Sequence, residues 1–452
     1  MPHPLRAHPR WQAGTLRYGA WGLAALTGWL LVGELGIAVR ERWAGPIGLV
    51  VLRHVGASAT TTALLLSTVP ALIGLLVVPA IGLRSDRCRS RWGRRRPFLL
   101  VSAPLGALAM LCVAAAPTLA AHLHALLGGW SPGLRALDLG FFCLFWTLFD
   151  AAAMTTVALF GGLVADVVPH GLVGRFYALV RVVGLSVAIG FNMTVFAVSE
   201  AWLTEILVAI AVVFGLAIPL MCLMVREGTY PPPLPPDDTV AGRRGFTQLA
   251  QCCAQRRHLW AFAAFALAAV TFGPFNTFSQ HYALDLGLSR AELGELTATG
   301  YAVSIGAAIV IGWLADRCGA VRVAAAMMLL YCALALGGWL LVDGGAAFRR
   351  FYVAHVIVSG AWFTAAAALP LAVFPRAEFV RYNASKDILV AFANILAASS
   401  IGPLLDHSGS DYRLTLGSAA LFSVLTLGCM AKLLAAPAAV SADAAVTQAV
   451  PG

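Results

Sequence analysis

Twelve long apolar runs punctuate this chain, near residues 18–39, 59–83, 97–117, 138–165, 174–197, 202–225, 258–282, 294–315, 320–342, 351–374, 387–405 and 412–436. About twenty apolar residues are what an α-helix needs to cross a bilayer. Transmembrane β-strands would alternate in hydropathy over ~10 residues, whereas these runs are longer and apolar all round, so helical spans are expected. Composition agrees: 60% of the 452 residues are apolar and 12% charged, against roughly half and a quarter in soluble domains. A water-soluble enzyme is excluded. The net charge of +10 reads as membrane topology, and no nucleic-acid partner is expected.

A polar arm, residues 1–17, precedes the first run, which lacks a small-residue cleavage site and therefore reads as a retained span. The segment 226–257 holds Pro231–Pro233, Pro235, Pro236 and two basic pairs, a composition that does not pack as a core. It divides the chain into a six-helix half at 18–225 and another at 258–436, with a disordered tail at 437–452. The halves echo each other. Gly82-Leu-Arg-Ser-Asp86-Arg87-Cys88 follows the second run and Gly312-Trp-Leu-Ala-Asp316-Arg317-Cys318 the eighth; Arg175 and Arg381 each lie six residues after a proline behind runs four and ten. Such a duplication is the architecture of many secondary transporters, whose solute site lies where the halves meet. Most Lys and Arg fall in the arm, in 84–96, in 226–257 and in the other loops of the same face, which places that face and both termini in the cytoplasm.

The loop Ser85-Asp86-Arg-Cys-Arg-Ser-Arg-Trp-Gly93-Arg94-Arg95-Arg96-Pro97-Phe98 sets an acid among arginines, a pattern suited to latching a loop onto helix ends by charge-assisted hydrogen bonds. With its echo at Asp316, it resembles the loops of the major facilitator superfamily. The fuller wording, with Phe145-Trp146-Thr-Leu-Phe-Asp150 and Leu163-Val-Ala-Asp166 in run four, resembles the sucrose/proton symporters and the glycoside-pentoside-hexuronide cation symporters. The resemblance implies an all-α membrane protein of twelve transmembrane helices in two six-helix halves, and cation-coupled movement of a sugar or glycoside by alternating access. It departs at Gly161, where those symporters carry an Arg between the two acids, and at Ala153 and Met154, where they carry an Asn pair. Run two also lacks the acids of the sodium-using relatives.

Asp150 sits deep in its span, where a carboxylate costs about 2.5 kcal/mol or more. It is the expected proton-coupling residue, with Arg181 as ion-pair partner or replacement for the missing cation. Trp146, Thr147 and Met154 share its helix face and are expected to bind solute. In run seven, Phe272-Gly-Pro-Phe-Asn276-Thr-Phe-Ser-Gln280 sets amides behind a Gly-Pro break, suited to sugar hydroxyls; Asn192 and Trp362 join the expected substrate set, with Asn394 a weaker candidate. Glu34 reads as interfacial, near the outer end of run one. Asp86, Arg87, Arg94, Arg95, Asp166, Arg175, Asp316, Arg317 and Arg381 are expected to form cytoplasmic gates. Nine cysteines without C-x-x-C or zinc spacing imply no disulfide framework and no metal site, and no nucleotide or nucleophile-elbow motif supports a pump or an enzyme; no cofactor is expected. The chain is thus expected to be a monomeric inner-membrane symporter of a small polar solute with protons. Efflux of an amphiphilic solute, or a non-transporting assembly or sensor role, are the alternatives.

Overall fold

A computed structural model describes residues 11–169, 172–229, 256–367, 369–374 and 379–435. Among them, twelve long helices follow in order. The first six are α1 (Ala20–His54), α2 (Ala59–Arg87), α3 (Arg96–Leu127), α4 (Leu134–Val167), α5 (Val173–Gly190, extended by a wide turn at Phe191–Val195) and α6 (Leu203–Met224). The second six are α7 (Arg256–Asp285), α8 (Arg290–Cys318), α9 (Ala320–Leu341), α10 (Gly345–Ala366), α11 (Phe379–His407) and α12 (Arg413–Ala435). All but α10 are long and apolar enough to span a membrane by length and composition alone; α10 carries Arg349 and Arg350 in its first turns.

Packing repeats as the sequence does. In the first six helices α1 packs on α5 and α6, α2 on α4, and α3 on α4 and α6; in the second six, α7 packs on α11 and α12, α8 on α10, and α9 on α10 and α12. Every pair has its counterpart six helices later. The two halves meet chiefly through α2 against α11 and the end of α5 against α8, which leaves room for a cavity between them.

Helix α1 differs from the sequence reading in a way that reshapes the site. The apolar run was expected to stop at residue 39, ahead of Arg40-Glu41-Arg42, but the helix continues through those charges and through Pro46 to His54. A hydropathy boundary marks where charge begins, not where helical hydrogen bonding ends. Glu34 therefore lies midway along a 35-residue helix, and the charged triplet lies within the bundle.

The arm also has structure that its composition did not announce. Trp11–Ala13 and Leu16–Tyr18 pair as an antiparallel hairpin, and the Thr15 hydroxyl oxygen accepts from the Thr229 backbone N–H at 2.9 Å. The hairpin is thereby fastened to the segment that leaves α6, on the face that carries the 84–96 loop.

Candidate functional site

A cavity of about 790 Å³ lies between the halves, walled by α1 and α5 on one side and by α7, α8 and α10 on the other. At the face opposite the 84–96 loop it is sealed by contacts that cross between halves. The Asp406 carboxylate at the end of α11 accepts from the backbone N–H groups of Ala59 and Thr60, at 2.7 and 2.9 Å, so an acid caps the positive start of α2. Arg290 pairs with Glu200 at 2.6 Å and Arg53 with Asp285 at 3.4 Å. The backbones close tightly here: a Cβ on Gly294 would collide with the Asn192 carbonyl, and one on Gly402 would lie 2.7 Å from the Thr60 Cα. By contrast, α2, α5, α8 and α11 are the least buried spans, with 17–22% of their most apolar windows covered against 33% or more in the rest. Among the described residues, the ion pairs that join the two halves, Arg290–Glu200 and Arg53–Asp285, both lie at the sealed face.

On the α1 and α5 wall stand Glu34, Glu41, Arg42, Arg181 and Asn192. Glu34 is buried, and among the described residues no hydrogen bond or ion pair engages its carboxylate. It was read as interfacial; the length of α1 places it on the cavity wall instead. Arg40 turns the other way, toward α4, where its Nη2 donates to Asp150 Oδ1 at 2.7 Å and its guanidinium lies 5.8 Å from the Phe149 ring centre. The cation that pairs with Asp150 is thus supplied by α1. Arg181, the expected partner, instead lies exposed on the cavity wall, and Asp150 is buried off that wall.

Five further expected binding residues, Trp146, Thr147, Met154, Phe272 and Trp362, do not line the large cavity. Trp146 stacks with Phe142 and packs its ring against Gly48 of α1. Thr147 donates its hydroxyl to the Cys143 carbonyl one turn back at 2.7 Å. Phe272 is buried against Tyr331 and Trp362, with ring centres 4.4 and 5.1 Å away, so Trp362 too belongs to the packing behind the wall. Met154 lines a smaller cavity of about 310 Å³, together with Ser67, Thr277 and Asn394.

The other wall is made of amides and hydroxyls. Asn276 and Gln280 line the large cavity as expected, joined by Thr297, Tyr301, Tyr352 and His355. His355 was not anticipated. Its Nε2 lies 3.0 Å from Asn276 Oδ1 and its Nδ1 3.0 Å from the Tyr331 hydroxyl. A lone histidine in an apolar run gives no sign of its partners; only the approach of α7, α9 and α10 assembles the chain of three.

At the loop face four of the expected gate residues meet. Arg94 grips Asp166 with two N–H groups, Nε at 2.9 Å and Nη2 beside it. Arg95 pairs with Asp86 at 2.6 Å. The anchor is Glu227, which the sequence did not single out: its carboxylate accepts from the backbone N–H of Arg94, Arg95 and Arg96 at 2.8–2.9 Å, capping α3 from beyond the end of α6. Gly93 is needed there, with φ at +103° and a Cβ that would strike Glu227. All these bonds tie α2, α3, α4 and the exit of α6 within one half. Arg87 is exposed apart from them, and Arg317 lies over Trp313 of its own helix. The side chains of Arg175, Asp316 and Arg381 lie outside the described residues.

Residues 51–386 match the family described as MFS/sugar transport protein. The chain is 35% identical to the sucrose transport protein SUT1 of Oryza sativa subsp. japonica over 86 residues, 19% of this chain and 16% of that protein. It is 59% identical to the Homo sapiens membrane-associated transporter protein over 29 residues, 6% of each chain. The chain thus matches only a small part of the length of these curated relatives. Among solved structures, it superposes on the nucleoside transporter NupG with a TM-score of 0.64 at 12% identity, covering 91% of this chain and 98% of that one. An inward-facing bacterial homologue of the iron transporter ferroportin gives 0.66 at 13% identity, covering 91% and 98%. At such identities the likeness shows the fold. With most of its length matched by the family model and its helices arranged in the same fold, the chain belongs to the MFS/sugar transport protein family and is a multi-pass membrane protein.

Proposed function

We propose that the protein is a proton-coupled symporter of a sugar or glycoside that works by alternating access, with the 84–96 loop on the cytoplasmic side of a bacterial inner membrane. The observation that carries this reading is the cavity itself. It offers amide, hydroxyl and aromatic groups on the α7, α8 and α10 wall, the mixture that hydroxyl-rich rings with apolar faces require. An unpaired carboxylate, Glu34, faces it from α1.

An ionisable group held at membrane depth is a functional site by default. Glu34 is accordingly assigned the exchange of a proton with the cavity. Asp150 takes part through the same helix: its ion pair with Arg40 braces α1 against α4, and a proton on Asp150 releases Arg40. Closure at the Asp406, Glu200 and Gly294 contacts corresponds in this reading to the inward-facing state. In the outward-facing state those contacts open and the loop-face helices converge.

The test is uptake into proteoliposomes of a labelled panel of sucrose, maltose, lactose, melibiose and glucose, under an imposed pH gradient and again with a protonophore. Accumulation of at least one sugar that collapses with the protonophore is expected. Uptake of none of them, or accumulation indifferent to the protonophore, contradicts the reading; extrusion of an amphiphilic dye in the absence of sugar uptake would favour export.

A further inference from the structure

Three polar groups on three helices, two of them buried, form one hydrogen-bond chain that ends in the cavity. Tyr331 of α9 has no exposure and His355 of α10 is 3% exposed, whereas Asn276 of α7 is open to the cavity. The His355 ring is held in place by Phe275, edge-on at 4.6 Å between ring centres, and by Phe351 stacked at 6.1 Å. It has little freedom to turn away from its two partners.

The protons in this chain follow from counting donors and acceptors. Among the described residues the Tyr331 hydroxyl has one hydrogen-bond partner, His355 Nδ1. Were Nδ1 to carry the ring proton, the phenolic hydrogen would be buried with no acceptor, a costly arrangement. The hydroxyl therefore donates to Nδ1, the ring proton sits on Nε2, and Nε2–H donates to Asn276 Oδ1. That bond settles the orientation of the amide, which electron-rich atoms alone leave ambiguous. Oδ1 is turned to His355, and the two Nδ2 hydrogens face the cavity.

Resting on the sugar-transport reading above, we infer that His355 and Tyr331 are positioning residues that make the Asn276 side chain a donor-only contact in the cavity, selecting solutes that present a hydrogen-bond acceptor to it. A ring or bridging ether oxygen, a carboxylate or a hydroxyl accepting through its lone pair fits; a group that can only donate, or only fill space, does not. A freely turning asparagine would take either kind, so the relay converts a tolerant side chain into a selective one. Rejection of this type is strong because the unmatched solute leaves a desolvated amide unpaired.

The experiment has one arm that needs no solute. In protein labelled with ¹⁵N-histidine, the His355 signals, identified by their loss in His355→Gln, are expected to report the Nε2–H form alone, with the Nδ1–H form appearing in Tyr331→Phe. A wild-type ring carrying its proton on Nδ1 overturns the inference whatever the protein transports. The second arm uses the sugar of the panel that wild-type protein takes up fastest, with its monodeoxy and monodeoxyfluoro derivatives; fluorine keeps weak acceptor character and loses the donor. At one position the fluoro derivative is expected to compete nearly as well as the parent, while the deoxy derivative is weaker by about tenfold, as for one lost hydrogen bond. In Asn276→Asp, whose second carboxylate oxygen turns an acceptor to the cavity, the fluoro derivative should fall to the level of the deoxy one. Tyr331→Phe should narrow the fluoro/deoxy gap through KM with kcat retained. The same pattern in wild type and Asn276→Asp overturns the inference, while absence of uptake of every sugar by wild type counts against the transport reading alone.

Discussion

Arg40 of α1 and Asp150 of α4 meet at 2.7 Å in the bundle of the first half, with their side chains 16% and 8% exposed. Breaking such a pair from one side leaves a buried charge without compensation, at a cost of about 3–5 kcal/mol. Asp150→Asn and Arg40→Met are each expected to lower the unfolding temperature of the purified protein markedly. The double variant Arg40→Met/Asp150→Leu should recover much of that loss. If the double variant is as unstable as the sum of the singles, the two residues are not energetically paired.

The seal opposite the loop depends on backbones that touch. Gly402→Leu would drive a side chain into Thr60, and Gly294→Val one into the Asn192 carbonyl. Either is expected to hold that face open. With native cysteines replaced and a cysteine placed at Thr297 on the cavity wall, an impermeant maleimide added from that face should label Gly402→Leu faster than the parent. Equal labelling would show that the contact does not gate access.

Glu227 offers a third test, away from the cavity. Its part-buried carboxylate receives three backbone N–H groups at the start of α3, and a hydrogen bond to a charged group is worth about 1.5–3 kcal/mol. Glu227→Ala should destabilise the protein in a thermal melt more than Arg87→Ala, since Arg87 is exposed and apart from the cluster. Equal effects would mean that the cap contributes nothing.

Much of this architecture is legible in the sequence because the bilayer simplifies the code: long apolar runs announce helices, and the echo of Asp86 in Asp316 announces the duplication. Asn276 and Gln280 are legible too, since amides one turn apart stand out in an apolar helix beside Gly273-Pro274. The charges of α1 are not. Arg40-Glu41-Arg42 looks like the end of a span by hydropathy, which puts Glu34 at the membrane surface and Arg40 out of reach of Asp150. A sequence shows that a charge is costly at depth; it does not show which neighbour or cavity offsets the cost. The same limit hid Glu227, an acid in a charged loop, and made Trp146, Phe272 and Trp362 look like cavity residues when their rings pack against other rings away from the large cavity.

In the proposed cycle Glu34 is the cavity-facing carboxyl that carries the proton. The most direct measurement is sugar transport by Glu34→Gln in proteoliposomes, comparing pH-gradient-driven accumulation with equilibrium exchange of labelled for unlabelled sugar. Glutamine keeps the shape and hydrogen bonding of a protonated glutamic acid but cannot release the proton. Exchange is expected to persist while accumulation driven by the gradient is lost. Accumulation that remains intact and equally sensitive to a protonophore would contradict the account.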